Sequence, residues 1–397
     1  SSNNSIINNS CSYNHEGIRL RYSSNNGITS NNCSFNSKKG IILEYSNENS
    51  IANNTCVNNR YGISLCDCPK NNSITNNKVL NNNEIGINLW WHANNNTLTN
   101  NIVSNNKNGG IHLFHASNNI LHNNSVTANS ADGFLMERGS NNNSLTDNTA
   151  LNNTHYDFNS DETSRDNVIA DFTISRTTIS FIYDNGIGIK SVITPELPDP
   201  AGKANISKYV NVTNETEDSW ILLNVSYSDA DVTNVKKDSL RLYRWTGTDW
   251  AEIAGSAVNT AKNYVYANVT SFSQIAPFGN PISTPTPRPH GGGGGAPRDS
   301  DGDGISDIDE MLAGTDLNDP CEPNPECAVC SAIRPPVPTP SPKVMPTPTA
   351  TPTIPPIVAP SPSPTPSPTP KPGIPGFEAV LAIAVLLAVA YLALRRK

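Results

Sequence analysis

The chain has 397 residues, enough for two or three domains. Its 27 Lys+Arg against 35 Asp+Glu leave a net charge of −8, which argues against nucleic acid as a partner. Only 16% of residues are charged, below the ~25% of ordinary globular domains; Asn crowds the N-terminal part and Pro, Thr and Ser the C-terminal part. A compact, helix-rich cytosolic enzyme does not have this composition. Eight cysteines and many Asn-x-Ser/Thr tripeptides suit an exported chain. The start at Ser1, without Met or a signal peptide, reads as a processed chain or a fragment.

The first 155 residues are one repeat. An apolar residue recurs at Ile6, Ile28, Ile51, Ile74, Leu98, Leu121 and Leu145, in steps of 22 to 24 residues. Asn stands two positions before each (Asn4 through Asn143), three after (Asn9 through Asn148) and eight after (Asn14 through Asn153). Gly-Ile-x-Leu segments start at Gly17, Gly40, Gly62, Gly86 and Gly110, and Gly133 leads into Phe134 and Met136. Period-2 alternation behind a bend-forming Gly marks a short strand, and no stretch here holds a helical period. The pattern predicts an all-β chain beginning with a parallel solenoid of about seven coils, stacked about 4.8 Å apart. Each Asn then lies over its equivalents, so the amides can hydrogen-bond along the axis as ladders. Asn also tolerates left-handed backbone at the corners.

Chemistry on this rod is sparse. The outward column four residues after the Gly reads Arg21, Glu44, Cys66, Trp90, Phe114 and Glu137. Its two acids are four coils apart, about 19 Å, whereas a glycosidase pair needs ~5–9.5 Å. Glu16 and Asp132 stand further apart still, so no catalytic residue is assigned. His92, His112, His115 and His122 sit in neighbouring coils but in four columns, and copper would need them to converge. Trp90, Trp91, Phe114 and His115, with Tyr45 and Tyr22 ahead of them, form an aromatic patch able to hold a sugar face. Cys11, Cys33 and Cys56 fill a column continued by Val79, Val103, Val126 and Ala150, a buried ladder of inert thiols. Neighbours in that ladder could form a disulfide, but three cannot all pair. Cys66 and Cys68 are an i, i+2 pair on one face.

The repeat ends after Asn167. Residues 171–281 alternate as strands at Trp220–Tyr227, Leu240–Trp245 and Tyr264–Val269, with a hairpin turn at Thr246-Gly247-Thr248-Asp249, and predict a β-sandwich. A Pro/Gly linker spans 282–298. In the module at 299–332, Asp299, Asp301, Asp303, Asp307 and Glu310 supply side-chain oxygens, Ile305 a carbonyl and Gly304 the turn of a twelve-residue calcium loop. Cys321, Cys327 and Cys330 follow, and a disulfide there outweighs zinc in an oxidising place. Residues 333–374 are a Pro/Thr/Ser stalk, extended like polyproline with a reach of roughly 120 Å. Last, in 375–397, come Pro375-Gly376-Phe377, sixteen apolar residues Ala379–Leu394 and Arg395-Arg396-Lys397, a short membrane helix with a cytoplasmic end.

These motifs carry resemblances. The Asn-Asn-x-Ile-x-Asn-Asn and Gly-Ile-x-Leu repeats of roughly 1–170 resemble the right-handed parallel β-helix of NosD-type proteins and of carbohydrate-binding and sugar-hydrolase repeats. Asn263–Phe272 is similar to a domain common in archaeal surface proteins. The acidic loop resembles a thrombospondin type 3 or dockerin-like half-site, which implies calcium. The tail resembles the PGF-CTERM signal, which implies recognition of Pro375, Gly376 and Phe377 by an archaeosortase, loss of the helix and attachment of a lipid. The whole reads as an archaeal cell-surface glycoprotein on the outer face of the membrane, binding a surface glycan or matrix or serving adhesion, without catalysis. A surface polysaccharide lyase or hydrolase is the alternative, and copper handling a further one. Extracellular calcium modules bind at about 10⁻⁴–10⁻³ M. Titration calorimetry is expected to show heat in that range that vanishes in Asp301→Ala; no heat at millimolar calcium would count against the loop.

Overall fold

The computed structural model describes residues 1–192, 197–214 and 216–282, together with Ser300, Ile305, Ser306, Asp309 and Glu310. The chain divides into two compact units, Ser1–Thr284 and Pro285–Lys397. The first is all-β and opens with a right-handed parallel β-helix of about seven coils. A full coil contributes two three-residue strands and one of six, as in Ser73–Thr75, Lys78–Leu80 and Ile85–Trp90. The short strands of successive coils pair in one sheet and the long strands in another.

Register follows the repeat. Ile28, Ile51, Ile74, Leu98, Leu121 and Leu145 pair in one fully buried column. Cys56, Val79, Val103, Val126 and Ala150 make a second, and Ile41, Ile63, Ile87 and Ile111 a third. The three columns meet in one core along the axis. Burying a Leu or Ile side chain contributes roughly 1.5–3 kcal/mol, so every coil adds a similar increment.

The asparagine columns hold the coils in register. The Asn54 amide donates to Asn77 Oδ1 at 3.1 Å, and the Asn54 backbone N–H donates to the same oxygen at 2.9 Å. Asn77 repeats both bonds onto Asn101, each at 3.0 Å. The other amide hydrogen of Asn77 goes back to the Ile51 carbonyl at 2.9 Å. Both lone pairs of each Oδ1, both amide hydrogens and the backbone N–H are thereby used.

Two expectations are corrected. The left-handed corner residue is not the ladder asparagine but the one before it: Asn53, Asn76 and Asn100 have φ of 56°, 56° and 55°. The glycine ahead of each long strand does not supply a bend, because Gly62 and Gly86 are not left-handed. It permits close stacking instead: a Cβ on Gly62 would lie 2.6 Å from the Gly86 carbonyl oxygen in the next coil.

At its C-terminal end the solenoid becomes antiparallel without a gap. Strand Val168–Ile174 pairs in parallel with Ser144–Thr146 and Thr149–Leu151, then in antiparallel with Thr177–Asp184. The latter pairs with Trp220–Ser226, and that with Tyr264–Val269. In the other sheet Phe158–Ser160 pairs with Ile187–Ser191, which leads on to Val210–Asn214 and Gln274–Gly279. The hairpin Arg241–Trp245/Trp250–Glu252 completes that sheet, its turn closed by Thr246 N–H to the Asp249 carbonyl at 2.9 Å. Phe134, Phe158, Phe172 and Phe181 pack edge to face where the pairing changes. The boundary expected at 170/171 falls within strand Val168–Ile174, and the direction changes between Ile174 and Thr177, inside one compact unit.

Two ladders end on named acceptors. Asn153 donates to Asp157 Oδ1 at 3.0 Å, and this buried carboxylate also takes the Ser191 N–H at 2.8 Å. Asn143 donates to Asn167, whose amide reaches the Tyr183 hydroxyl at 3.0 Å. The Tyr183 hydroxyl in turn donates to Ser160 Oγ at 2.7 Å, and burial pushes the tyrosine hydroxyl well above its usual range.

Removing one rung strands several buried groups at once, each worth about 1–3 kcal/mol. Asn77→Ala is expected to lower unfolding free energy by about 3–4 kcal/mol in a denaturant titration. Asn76→Gly, one residue away at the exposed corner, is expected to stay within about 0.5 kcal/mol.

Candidate functional site

The aromatic patch gathers where the long strands end. Trp90 and Phe114 are in register on neighbouring strands, and their rings stack at 3.9 Å and 11°. The next residue in each coil turns the corner in left-handed backbone: Tyr22, Tyr45, Asp67, Trp91, His115 and Arg138 all have φ between 48° and 61°. A bulky residue there is disfavoured by roughly 1–2 kcal/mol, and at the other corners Asn mostly takes the position. Trp91 lies 5.2 Å from His115 and 6.3 Å from Phe114, ring centre to ring centre, and is 48% exposed. Tyr22 and Tyr45 stack at 4.9 Å two coils earlier in the same column, with Asp67 interrupting it. A hollow of about 480 Å³ beside this stack is lined by Trp91, Phe114, His115, Arg138, Gly139 and Thr163.

Polar groups border the stack. His112 Nε2 lies 2.9 Å from Glu137 Oε2, and the His112 ring meets Trp90 and Phe114 edge-on. His115 Nδ1 lies 2.7 Å from the Arg138 carbonyl oxygen, and its ring meets His92 at 4.2 Å. Burial, His115 and Lys70 together hold the His92 imidazole below its ordinary range. His122 is taken up by Thr146 Oγ1 at 3.0 Å and Asp147. Of the four histidines, only His92 and His115 come together. Among the described residues no three His, Cys, Asp or Glu side chains converge as a metal site, so these residues do not fit a bound copper ion.

A second cluster lies in the first coils. Arg19 holds Glu16 at 3.1 Å and Glu44 at 2.5 Å, and Arg60 faces Glu84 at 3.5 Å. Glu16, Arg19, Glu44 and Arg60, with His15, Lys38, Lys39 and Tyr61, line a hollow of about 280 Å³. Comparing acids within single columns overlooks this grouping, because Glu16 and Glu44 belong to different columns and are bridged diagonally by Arg19. Arg19 occupies the space between them where a substrate oxygen would have to stand. His112 with Glu137, and His155 with Asp132 at 2.8 Å, are likewise diagonal pairs. The signal for all of them is a spacing of one coil plus or minus a few residues.

Cys33 and Cys56 are fully buried in register below the partly exposed Cys11, and all three are free. Hydrogen bonding to Cys33 and burial push the Cys56 thiol well above its usual range. Cys66 ends its strand beside Lys39 Nζ at 3.5 Å, while Cys68 sits at the corner with φ of 64°, so the two do not share a strand face. The calcium-loop residues Asp299, Asp301, Asp303 and Asp307, the cysteines Cys321, Cys327 and Cys330, and the sorting residues Pro375, Gly376 and Phe377 lie outside the described residues. So does the apolar run 379–394; among the described residues no helix is long and apolar enough to cross a membrane.

Comparison with known proteins agrees with the winding of the chain. Residues 1–109 match the family described as periplasmic copper-binding protein (NosD), and residues 92–192 match the right handed beta helix region. Residues 374–396 match the PGF-CTERM motif. The chain carries NosD-like β-helix repeats and a PGF-CTERM motif, which marks a cell-surface protein anchored to the membrane through its C-terminus.

No curated protein sequence matches the chain. Among solved structures, periplasmic alginate epimerase AlgG is similar at 21% identity over 42% of this chain and 43% of that one, with a TM-score of 0.39. The A-module of Azotobacter vinelandii mannuronan C-5 epimerase AlgE4 gives 18% identity over 41% and 52%, with a TM-score of 0.37. Tailspike protein 2 of bacteriophage CBA120 gives 12% over 64% and 50%, with a TM-score of 0.31. The chain thus spans about half the length of these structures, and none of the overlaps carries an inference about activity.

Burial slows alkylation of both Cys33 and Cys56, and the raised pKa of Cys56 slows it further, whereas the hydrogen bond with Cys56 lowers that of Cys33. In folded protein, iodoacetamide is expected to modify Cys68 well before Cys33 and Cys56, read by peptide mass spectrometry. Equal labelling would mean the ladder opens readily.

Proposed function

We propose that the chain is a glycan- or matrix-binding protein of the cell surface, with the aromatic corner as its contact surface and no catalysis of its own. The observation that carries this reading is the exposed Trp90, stacked on the half-buried Phe114 and followed by the exposed Trp91 in left-handed backbone. Trp90 and Phe114 cover each other's faces, so the surface offered to a glycan is the outward edge of that stack together with the exposed Trp91 ring, and Arg138 and His115 at the hollow add polar contacts. The C-terminal tail is proposed to hold the protein at the membrane after archaeosortase processing. The loop from Asp299 to Glu310 is proposed to bind calcium, as its spacing of oxygen ligands implies.

One observation favours a second reading, a polysaccharide lyase or hydrolase: the His112–Glu137 pair directly borders the aromatic stack. The exposed member of this pair is Glu137, since His112 is buried through its Nδ1, and a carboxylate oriented by a histidine is a serviceable proton acceptor. Release of unsaturated or reducing ends from a bound polysaccharide, abolished by His112→Ala, would select that reading over simple binding.

The test of the first is a glycan array probed with the soluble full-length ectodomain. A bound glycan is expected to quench tryptophan fluorescence, and Trp90→Ala or Phe114→Ala is expected to weaken it roughly tenfold or more. Binding that survives both substitutions would remove the aromatic corner as the contact surface.

A further inference from the structure

We propose that the exposed corner asparagines of the Asn-Asn-Ser/Thr triplets are N-glycan acceptors, so that the solenoid is glycosylated along its asparagine corners and bare along its aromatic one. The proposal rests on the surface location given by the PGF-CTERM motif and is independent of what the aromatic corner binds.

The two asparagines of each triplet are structurally opposite. Asn71 and Asn95 are exposed, left-handed at 57° and 56°, and stand at the corner before the strand. Asn72 and Asn96, the next residues, are buried rungs of the ladder. The third residue, Ser73 or Thr97, opens the strand with its side chain partly exposed. Asn3 and Asn142 repeat this at the same corner, Asn8, Asn53 and Asn123 at the next, and Asn152 at a third, all exposed with φ between 51° and 60°.

The repeat itself directs the acceptor triplet to the exposed member. Two residues beyond a rung of the first ladder the chain must supply an inward apolar side chain, Ile74 after Asn72 and Leu98 after Asn96. Ser or Thr cannot stand there without entering the core. Two residues beyond the corner asparagine the side chain points outward, and Ser or Thr is free to occupy it. The rungs are unavailable for a second reason. Asn54 has one amide hydrogen on the Ile28 carbonyl and the other on Asn77 Oδ1, and a sugar on that fully buried nitrogen would replace one of them and force the coils apart.

The corner amide can undergo the transfer. Its Nδ2 attacks the anomeric carbon of a glycan carried on a polyprenyl phosphate; a C–N bond forms as the C–O bond to the phosphate breaks. The electron pair leaves with the phosphate, and the nitrogen gives up one proton. Nothing is oxidised or reduced, and the glycan is left projecting radially from the rod.

The chain contains its own controls. Asn25, Asn76, Asn100 and Asn118 have the same exposed left-handed corner geometry, but Gly27, Lys78, Ile102 and Ile120 follow two residues later. They are expected to be bare. The aromatic corner, with Tyr22, Tyr45, Trp91 and His115, has no such triplet, so glycans leave that edge uncovered.

The experiment is site-resolved glycopeptide mass spectrometry of the full chain purified from an archaeal host that glycosylates its own surface proteins. Glycan is expected on Asn71, Asn95 and their counterparts, and absent from the rungs and from Asn25, Asn76, Asn100 and Asn118. Ile120, 47% exposed, lies on the outer side of its strand, so Ile120→Thr is expected to place a glycan on Asn118 without disturbing the core. Thr97→Ala is expected to remove the glycan of Asn95 alone. Circular dichroism establishes that both variants keep the β-solenoid. Glycan on a rung or a control asparagine, none on any corner triplet, or a folded Ile120→Thr protein bare at Asn118 would overturn the proposal.

Discussion

An asparagine side chain here does what a backbone group does in an ordinary sheet. Between the short strands the chain must turn, and at a turn the inter-coil ladder of peptide bonds would leave an N–H without an acceptor in the core. The Oδ1 of the asparagine one coil further on accepts that N–H and the amide of the same residue together. Buried polar groups are tolerated only when paired, so the arrangement is all-or-nothing at each corner. With both donors and both lone pairs used, no other residue fits: Asp lacks the donors and Gln is too long by a methylene. Corner, register and coil length are thereby fixed by one side chain repeated.

The rest of the solenoid follows from that constraint. Because the rung is held in extended backbone, the reversal is forced into the residue before it, which becomes left-handed and exposed. Because successive coils are drawn together in register, the start of the long strand has no room for a Cβ, and glycine is required there for stacking. Because the rungs consume the polar capacity of the interior, the core is left to apolar columns, one from each short strand and two from each long strand, as Ile63–Ile87 and Leu65–Leu89 show. The side chains with any freedom to differ from coil to coil are those pointing outward. It is among them that the aromatic stack, the His112–Glu137 pair and the Arg19 cluster are found.

This division explains what was legible in the amino-acid sequence. Columns were legible: the rungs, the apolar residues and the Cys33–Cys56–Val79 succession are vertical features, and a repeat displays vertical features directly. The stacking of Trp91 on His115 belongs to the same class. Diagonal contacts were not legible, since Arg19 with Glu44 or His112 with Glu137 depends on side-chain length and lean as well as on register. The role of Gly62 was also hidden, because a glycine at a strand start reads equally as a bend or as close packing, and only the distance to the Gly86 carbonyl separates them. The merging of solenoid and antiparallel sheets escaped for a different reason. Strand Val168–Ile174 spans two former strand positions and keeps the left-handed corner residue as Asp171, so the passage to antiparallel pairing leaves no mark in composition.

The Asp157 carboxylate at the foot of one ladder has a consequence for the rod as an electrical object. Every amide in that column points the same way, nitrogen toward the later coil's oxygen, so their dipoles add head to tail as peptide dipoles do in a helix. The donor end of such a column carries partial positive charge, and a buried anion there is held by the field of the whole stack as well as by Asn153 and Ser191. The solenoid therefore has a sense along its axis that its cylindrical shape conceals. Duplication of a coil in the middle preserves that sense and leaves the terminating carboxylate in place, which lets the rod change length in whole-coil steps like a ruler with one fixed end.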